Sequence, residues 1–173
     1  MAKHMCLLAF AVTAVSSPSH ATEFFGGLYF HDINTPWTRS GPEGGIDVQL
    51  GLRGRRIGRT PLQPYGLLAI NTSGDTHYGA IGLSAKFGDR LFVRPGIGIA
   101  VHTGSTADRF NPDNDEIEFG SRILFEPELG VGAKLNDRLS IEASWIHMSH
   151  AQLFSRQNSG VQNLGIRMTL KLP

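Results

Sequence analysis

Hydrophobicity in this chain alternates residue by residue, with charged and small side chains standing opposite the apolar ones. Along a strand every second residue shares a face, so alternation marks a sheet with two unlike sides. Over residues 46–53, Ile46, Val48, Leu50 and Leu52 oppose Asp47, Gln49, Gly51 and Arg53. Over 80–87, Ile81, Leu83, Ala85 and Phe87 oppose Ala80, Gly82, Ser84 and Lys86. In 90–102, Leu91, Val93, Ile97, Ile99 and Val101 oppose Arg90, Arg94 and His102. The same division separates Ile123, Phe125, Leu129 and Val131 from Glu126, Glu128 and Lys134 in 122–134. In 162–171, Leu164, Ile166, Met168 and Leu170 oppose Asn163, Arg167, Thr169 and Lys171. Residues 24–32 and 63–71 are less regular but rich in aromatic and branched side chains. With 138–149 the count is eight strands, and no window makes a better amphipathic helix.

The connections alternate too. Gly88-Asp89 and Asn136-Asp137 are short turn formers, whereas residues 33–44, about 103–120, and 150–161 are long. Long loops at one end and short turns at the other is the pattern of an eight-stranded antiparallel transmembrane β-barrel. Parity alone does not distinguish the inside of a barrel from its outside. A soluble lipid-binding barrel would turn the apolar set inward around a ligand. The polar set favours the membrane reading. Asp47, Arg53, Lys86, Arg94, Glu126, Glu128, Lys134, Glu142, Arg167 and Lys171 mix signs and are interspersed with glycine. Such residues can pair off inside a narrow lumen.

Residues 1–21 read as a secretory leader. Lys3 and His4 form a basic start, Met5 to Val15 is mostly apolar, and Ser19-His20-Ala21 is a small-x-small cleavage site. That leaves residues 22–173 as one domain, with the sole cysteine, Cys6, in the leader. The 16 basic and 15 acidic residues nearly cancel, which argues against a nucleic-acid partner. Asp113, Asp115, Glu116 and Glu118 lack the spacing of a calcium loop, and His77 and His102 are scattered. No metal or organic cofactor is expected. Arg53, Arg55, Arg56 and Arg59 read as a solvated turn.

One strand carries chemistry on its apolar side. In Ile141-Glu-Ala-Ser-Trp145-Ile-His147-Met-Ser149, the residues Ile141, Ala143, Trp145, His147 and Ser149 share a face, and Glu142 and Ser144 share the other. The two end residues lie about 6.5–7 Å apart along the strand, a gap an imidazole can bridge. His147 Nε2 is thus expected to reach the Ser149 hydroxyl, as a base paired with a nucleophile. With both termini periplasmic, the pair lies near the outer leaflet.

Three further stretches stand out: Pro95-Gly-Ile-Gly-Ile-Ala100, Leu129-Gly-Val-Gly-Ala133, and Ile146-His-Met-Ser-His-Ala151 followed by Asn158-Ser-Gly160. Through these, from about Arg94 to Pro173, the chain resembles the outer-membrane lipid A 3-O-deacylases of the PagL type. The resemblance implies a Ser-His-Glu triad on the outer wall of an eight-stranded barrel, hydrolysing the ester-linked acyl chain at position 3 of lipid A. His147 and Ser149 match its histidine and serine, and Asn158 and Gly160 match the loop before the last strand. His150 stands where members often carry asparagine. The acidic position falls at Gln162, and parity agrees, because Gln162 shares a face with Leu164 and Ile166. A glutamine oxygen can accept the Nδ1–H bond of His147 but brings no charge to stabilise imidazolium. Asn158 and the backbone amides of 150–152 are the candidate oxyanion donors. The partners expected are lipopolysaccharide and outer-membrane lipid, and the outer wall leaves room for a homodimer. The alternative is a non-enzymatic outer-membrane barrel, structural or binding, or an inactive deacylase homologue.

Overall fold

The computed structural model describes residues 21–35, 43–109, 111 and 113–173. The expected leader lies outside the described residues except for Ala21, which opens the first strand. Eight long strands follow: β1 Ala21–Phe30, β2 Ile46–Gly54, β3 Leu62–Asn71, β4 Tyr78–Ala85, β5 Leu91–His102, β6 Ile123–Lys134, β7 Leu139–Met148 and β8 Val161–Lys171. Phe87–Gly88 continues β4 past Lys86 and stays paired to β5. Each strand pairs antiparallel with the next. β1 also pairs with β8, from Glu23↔Lys171 to Phe30↔Leu164, which closes the sheet. A closed sheet has no strand edge to satisfy, the condition for crossing hydrocarbon with strands.

The faces divide as the alternation predicts. Leu28, Leu50, Ile81, Leu91, Ile97, Val131 and Ile166 point outward and are exposed, Ile81 to 72% and Leu91 to 75%. Inside lie Asp47, Gln49, Arg53, Arg94, Glu126, Glu128, Glu142, Asn163 and Arg167, all buried. This is an apolar wall around a polar interior, the transmembrane barrel and not the soluble one. Of the charges expected inside, Lys171 is exposed at the rim, and Lys134 pairs there with the exposed Asp137. Arg53, counted both in the lumenal set and in the arginine-rich turn, points into the lumen.

The three buried arginines form one connected group with Glu23, Glu128 and Glu142. Arg167 donates from Nη2 to Glu128 at 2.7 Å and from Nη1 to Glu142 at 3.2 Å, and its Nε–H donates to the Tyr29 hydroxyl at 2.8 Å. Arg94 Nε donates to the second Glu142 oxygen at 3.3 Å. Arg53 reaches Glu23 at 2.8 Å, and Tyr65 donates to Glu126. The lumen has room for these side chains because glycines face the rings beside them. A Cβ on Gly51 would strike the Phe25 ring, and one on Gly165 would strike Tyr29.

The connections after β1, β3, β5 and β7 begin and finish at one end of the barrel, and 55–61, 89–90 and 135–138 lie at the other. The first end is closed by an ionic cluster. His31 contacts Asp47 at 3.0 Å through Nδ1 and Glu43 at 3.1 Å through Nε2. Glu43 also accepts from the Thr76 hydroxyl and amide and from the Ile117 amide, each at 3.0 Å. Ile117 and Phe119 are thereby drawn over the barrel mouth and buried. Burial opposes charge on both groups, but the bonds prevail. They raise the His31 pKa from 6.5 to about 9 and hold Glu43 below the usual carboxylate range.

Two outcomes are expected. Arg167→Met strands Glu128 and leaves Glu142 with Arg94 alone, and breaking a buried pair this way costs about 3–5 kcal/mol. The variant should lose heat-modifiable gel mobility at a lower temperature than wild type, and an unchanged transition would mean the pairs contribute little. At the mouth, the raised His31 pKa gives stability that is complete below about pH 6.5 and lost as pH rises through about 9. Limited proteolysis within 103–122 should therefore appear between pH 8 and 10 and be pH-independent in His31→Gln. Equal cleavage of wild type at pH 7 and 10 would rule out this coupling.

Candidate active site

The outward face of β7 runs Ile141, Ala143, Trp145, His147, and its inward face Ser140, Glu142, Ser144, Ile146 and Met148. Ser149 lies one residue beyond the strand but keeps its direction because β6 still holds it. The Phe125 amide donates to Ser149 O at 2.8 Å, and the Ser149 amide donates to Phe125 O at 3.1 Å. His147 and Ser149 therefore emerge side by side, with His147 Nε2 at 2.9 Å from Ser149 Oγ. Both are partly exposed on the outer wall, at the end with the long loops. Gln162 is paired in register with His147 across β7 and β8, and Leu164 with Trp145. The strand ladder thus assembles Ser149, His147 and Gln162 in one row.

The Gln162 amide does not meet the ring as the sequence suggests. Its oxygen accepts from the Trp145 indole N–H at 2.7 Å, and its Nε2 donates to His147 Nδ1 at 2.6 Å. The expectation of an oxygen on Nδ1 fails because Trp145, diagonal to Gln162 across the strand pair, takes that oxygen. Trp145 and His147 stack at 14° with centroids 6.1 Å apart. Trp145 is the member of the site that sequence reasoning gave no role. Its signal was its place two residues before His147 on the same face.

His150 follows Ser149 and points inward, fully buried. Its Nε2–H donates to Gln157 O at 2.7 Å, and its Nδ1 accepts from the Phe154 amide at 3.4 Å. The ring therefore folds the 149–160 loop around itself. The His150 amide donates to Asn158 Oδ1 at 3.0 Å, which orients that side chain and leaves its Nδ2 hydrogens for another acceptor. Ala151 and Gln152 are consecutive left-handed residues, φ 52° and 59°. Non-glycine residues rarely adopt that region and do so where surroundings over-determine them, often beside functional groups. Gly160 is also left-handed, and a Cβ there would press on His147 Cε1 and Ser149 Cβ. The loop then carries Leu153 and Phe154 outward, both exposed.

Elsewhere, the other noted residues have local partners. His102 Nε2 is 2.7 Å from Ser121 O, and His77 Nδ1 accepts from the Asn71 amide. Glu118 is buried and accepts from the Asn111 amide, whereas Asp113 and Glu116 are exposed. Among the described residues, no group of three or more His, Cys, Asp or Glu side chains is placed to hold a metal.

A family model described as "Lipid A 3-O-deacylase (PagL)" matches residues 44–171, most of the chain and all of the site. The crystal structure of the outer membrane enzyme PagL superposes with a TM-score of 0.61 at 20% identity, covering 87% of this chain and 99% of that one. Neisserial surface protein A gives 0.55 at 14% identity, covering 87% and 96%. A de novo designed transmembrane barrel gives 0.53 at 12% identity, covering 88% and 97%. Likeness at such identities establishes the barrel fold alone. No curated protein matches the chain.

Proposed function

The chain belongs to the lipid A 3-O-deacylase (PagL) family, and on that premise we propose that it hydrolyses the ester-linked 3-hydroxyacyl chain at position 3 of lipid A in the outer leaflet. The observation that carries this reading is the 2.9 Å approach of His147 Nε2 to Ser149 Oγ on a lipid-facing wall. A polar pair is costly on an apolar surface, and ionisable groups at membrane depth mark function by default.

In this reading, the tautomer with bare Nε2 takes the Ser149 proton as Oγ attacks the ester carbonyl carbon. The oxyanion that forms needs donors aimed at it. Asn158 Nδ2, with its oxygen already held by the His150 amide, is one candidate, and the amides of Ala151 and Gln152 are others. His147 then passes the proton to the leaving sugar oxygen, and the acyl group remains on Ser149. Water, deprotonated by His147, attacks the acyl-enzyme and releases a 3-hydroxy fatty acid. The acyl chain has an apolar track along the wall beneath the pair, where Ala143, Leu164 and Ile166 are exposed. Leu153 and Phe154 extend that apolar surface on the loop.

One observation favours the non-catalytic alternative, a barrel that binds or bridges the envelope. The Gln162 amide presents its nitrogen to His147, where a triad would present an oxygen.

Purified barrel with lipid A as substrate separates the two. Ser149→Ala and His147→Ala should each lower release of 3-hydroxy fatty acid by roughly a thousandfold or more, as loss of a triad member does. Both should keep wild-type heat-modifiable mobility, because neither side chain enters the lumen. Undiminished release by Ser149→Ala would reject serine catalysis here.

A further inference from the structure

We infer that Trp145 is a positioning residue that locks the site in an unreactive tautomer, so that the barrel rests as a latent hydrolase. The inference deepens the deacylase reading and rests on it. An indole N–H only donates, so the atom of Gln162 that faces it must be the oxygen. The Trp145 Nε1 to Gln162 Oε1 distance of 2.7 Å therefore fixes which end of the amide is which. The other end, an NH2 group, lies 2.6 Å from His147 Nδ1. A donor at that distance requires an acceptor, so Nδ1 is bare. A neutral imidazole has one proton, and it must then sit on Nε2.

Nε2 is the atom that faces Ser149 Oγ. With the proton there, Nε2 donates to the serine oxygen and has no lone pair to take the hydroxyl proton. The charged ring is opposed as well, because Nδ1–H would meet the amide hydrogens head on. Base catalysis thus requires the Gln162 amide to turn by half a revolution about its last bond, bringing the oxygen to Nδ1–H. That turn breaks the bond to Trp145 and brings the NH2 group against the indole N–H. The stacked indole also flanks the ring on the strand side. A carboxylate at 162 would need no turn, since its two oxygens accept from Trp145 and from Nδ1–H together. The brake is the pairing of a glutamine at 162 with a tryptophan at 145.

The test reads the proton directly and independently of turnover. Barrel labelled with 15N-histidine, purified in detergent, reports which His147 nitrogen is protonated near neutral pH, with His147→Gln assigning the signals. Wild type should show Nε2–H. Trp145→Phe should shift the ring toward Nδ1–H, and Gln162→Glu should complete the shift. On lipid A, Trp145→Phe should raise the rate roughly three- to tenfold, the size of one neutral hydrogen bond. Gln162→Glu should raise it roughly a hundredfold or more, since a wrong tautomer costs a triad several orders of magnitude. In the Gln162→Glu background, Trp145→Phe should no longer accelerate. A purely structural tryptophan would give a loss of rate and no change of tautomer. Nδ1–H in wild type, or an unmoved tautomer in both folded variants, would overturn the lock. The expected tautomer shifts with lipid A untouched by every variant would support the lock and reject the deacylase reading.

Discussion

The fold depends on pairing the lumenal arginines. Arg53, Arg94 and Arg167 are buried inside a closed sheet whose other face meets hydrocarbon, so their charges must be answered within the lumen. Glu23, Glu128 and Glu142 answer them. The glycines that face Phe25 and Tyr29 make space for these long side chains in a narrow barrel. Once the charges pair inside, parity sends every intervening residue outward. The chemistry of the site is a consequence, because His147 and Ser149 occupy the parity of Ile141 and Ala143, not that of Glu142.

The wall could therefore be read from the sequence, and so could much of the site. Strict alternation over residues 46–53 and 122–134 located strands to within a residue or two, since one slip would have put charges in lipid. The same parity put Gln162 on the face of Leu164 and Ile166, and the ladder pairs it with His147. What the sequence did not contain was the orientation of one amide. That orientation is decided by Trp145, a diagonal neighbour on the adjacent strand, and no property of Gln162 alone predicts it. The inward turn of His150 was likewise hidden, because the bonds from its ring go to Gln157 and Phe154 within an irregular loop. The mouth cluster was missed for a similar reason. His31, Glu43 and Asp47 come from one connection and the strand beside it, but Thr76 and Ile117 come from two others.

Rigidity is distributed to suit the reaction proposed. His147 and Gln162 sit on paired strands, and Ser149 is fixed by two backbone bonds to Phe125. The oxyanion candidates belong to a loop, but one folded around a buried imidazole. What the proposed mechanism requires to turn is a single side-chain torsion, that of the Gln162 amide. On the proposed reading, the barrel would keep its reacting atoms in place while the orientation of one neutral group set its activity.

The central claim is that this outer-wall site acts on lipid A, and mass spectrometry of lipid A from cells producing the barrel tests it most directly. The account predicts a species lacking one 3-hydroxyacyl chain, faint with wild type, abundant with Gln162→Glu, and absent with Ser149→Ala. Lipid A of unchanged mass in cells with folded wild type and folded Gln162→Glu would contradict it.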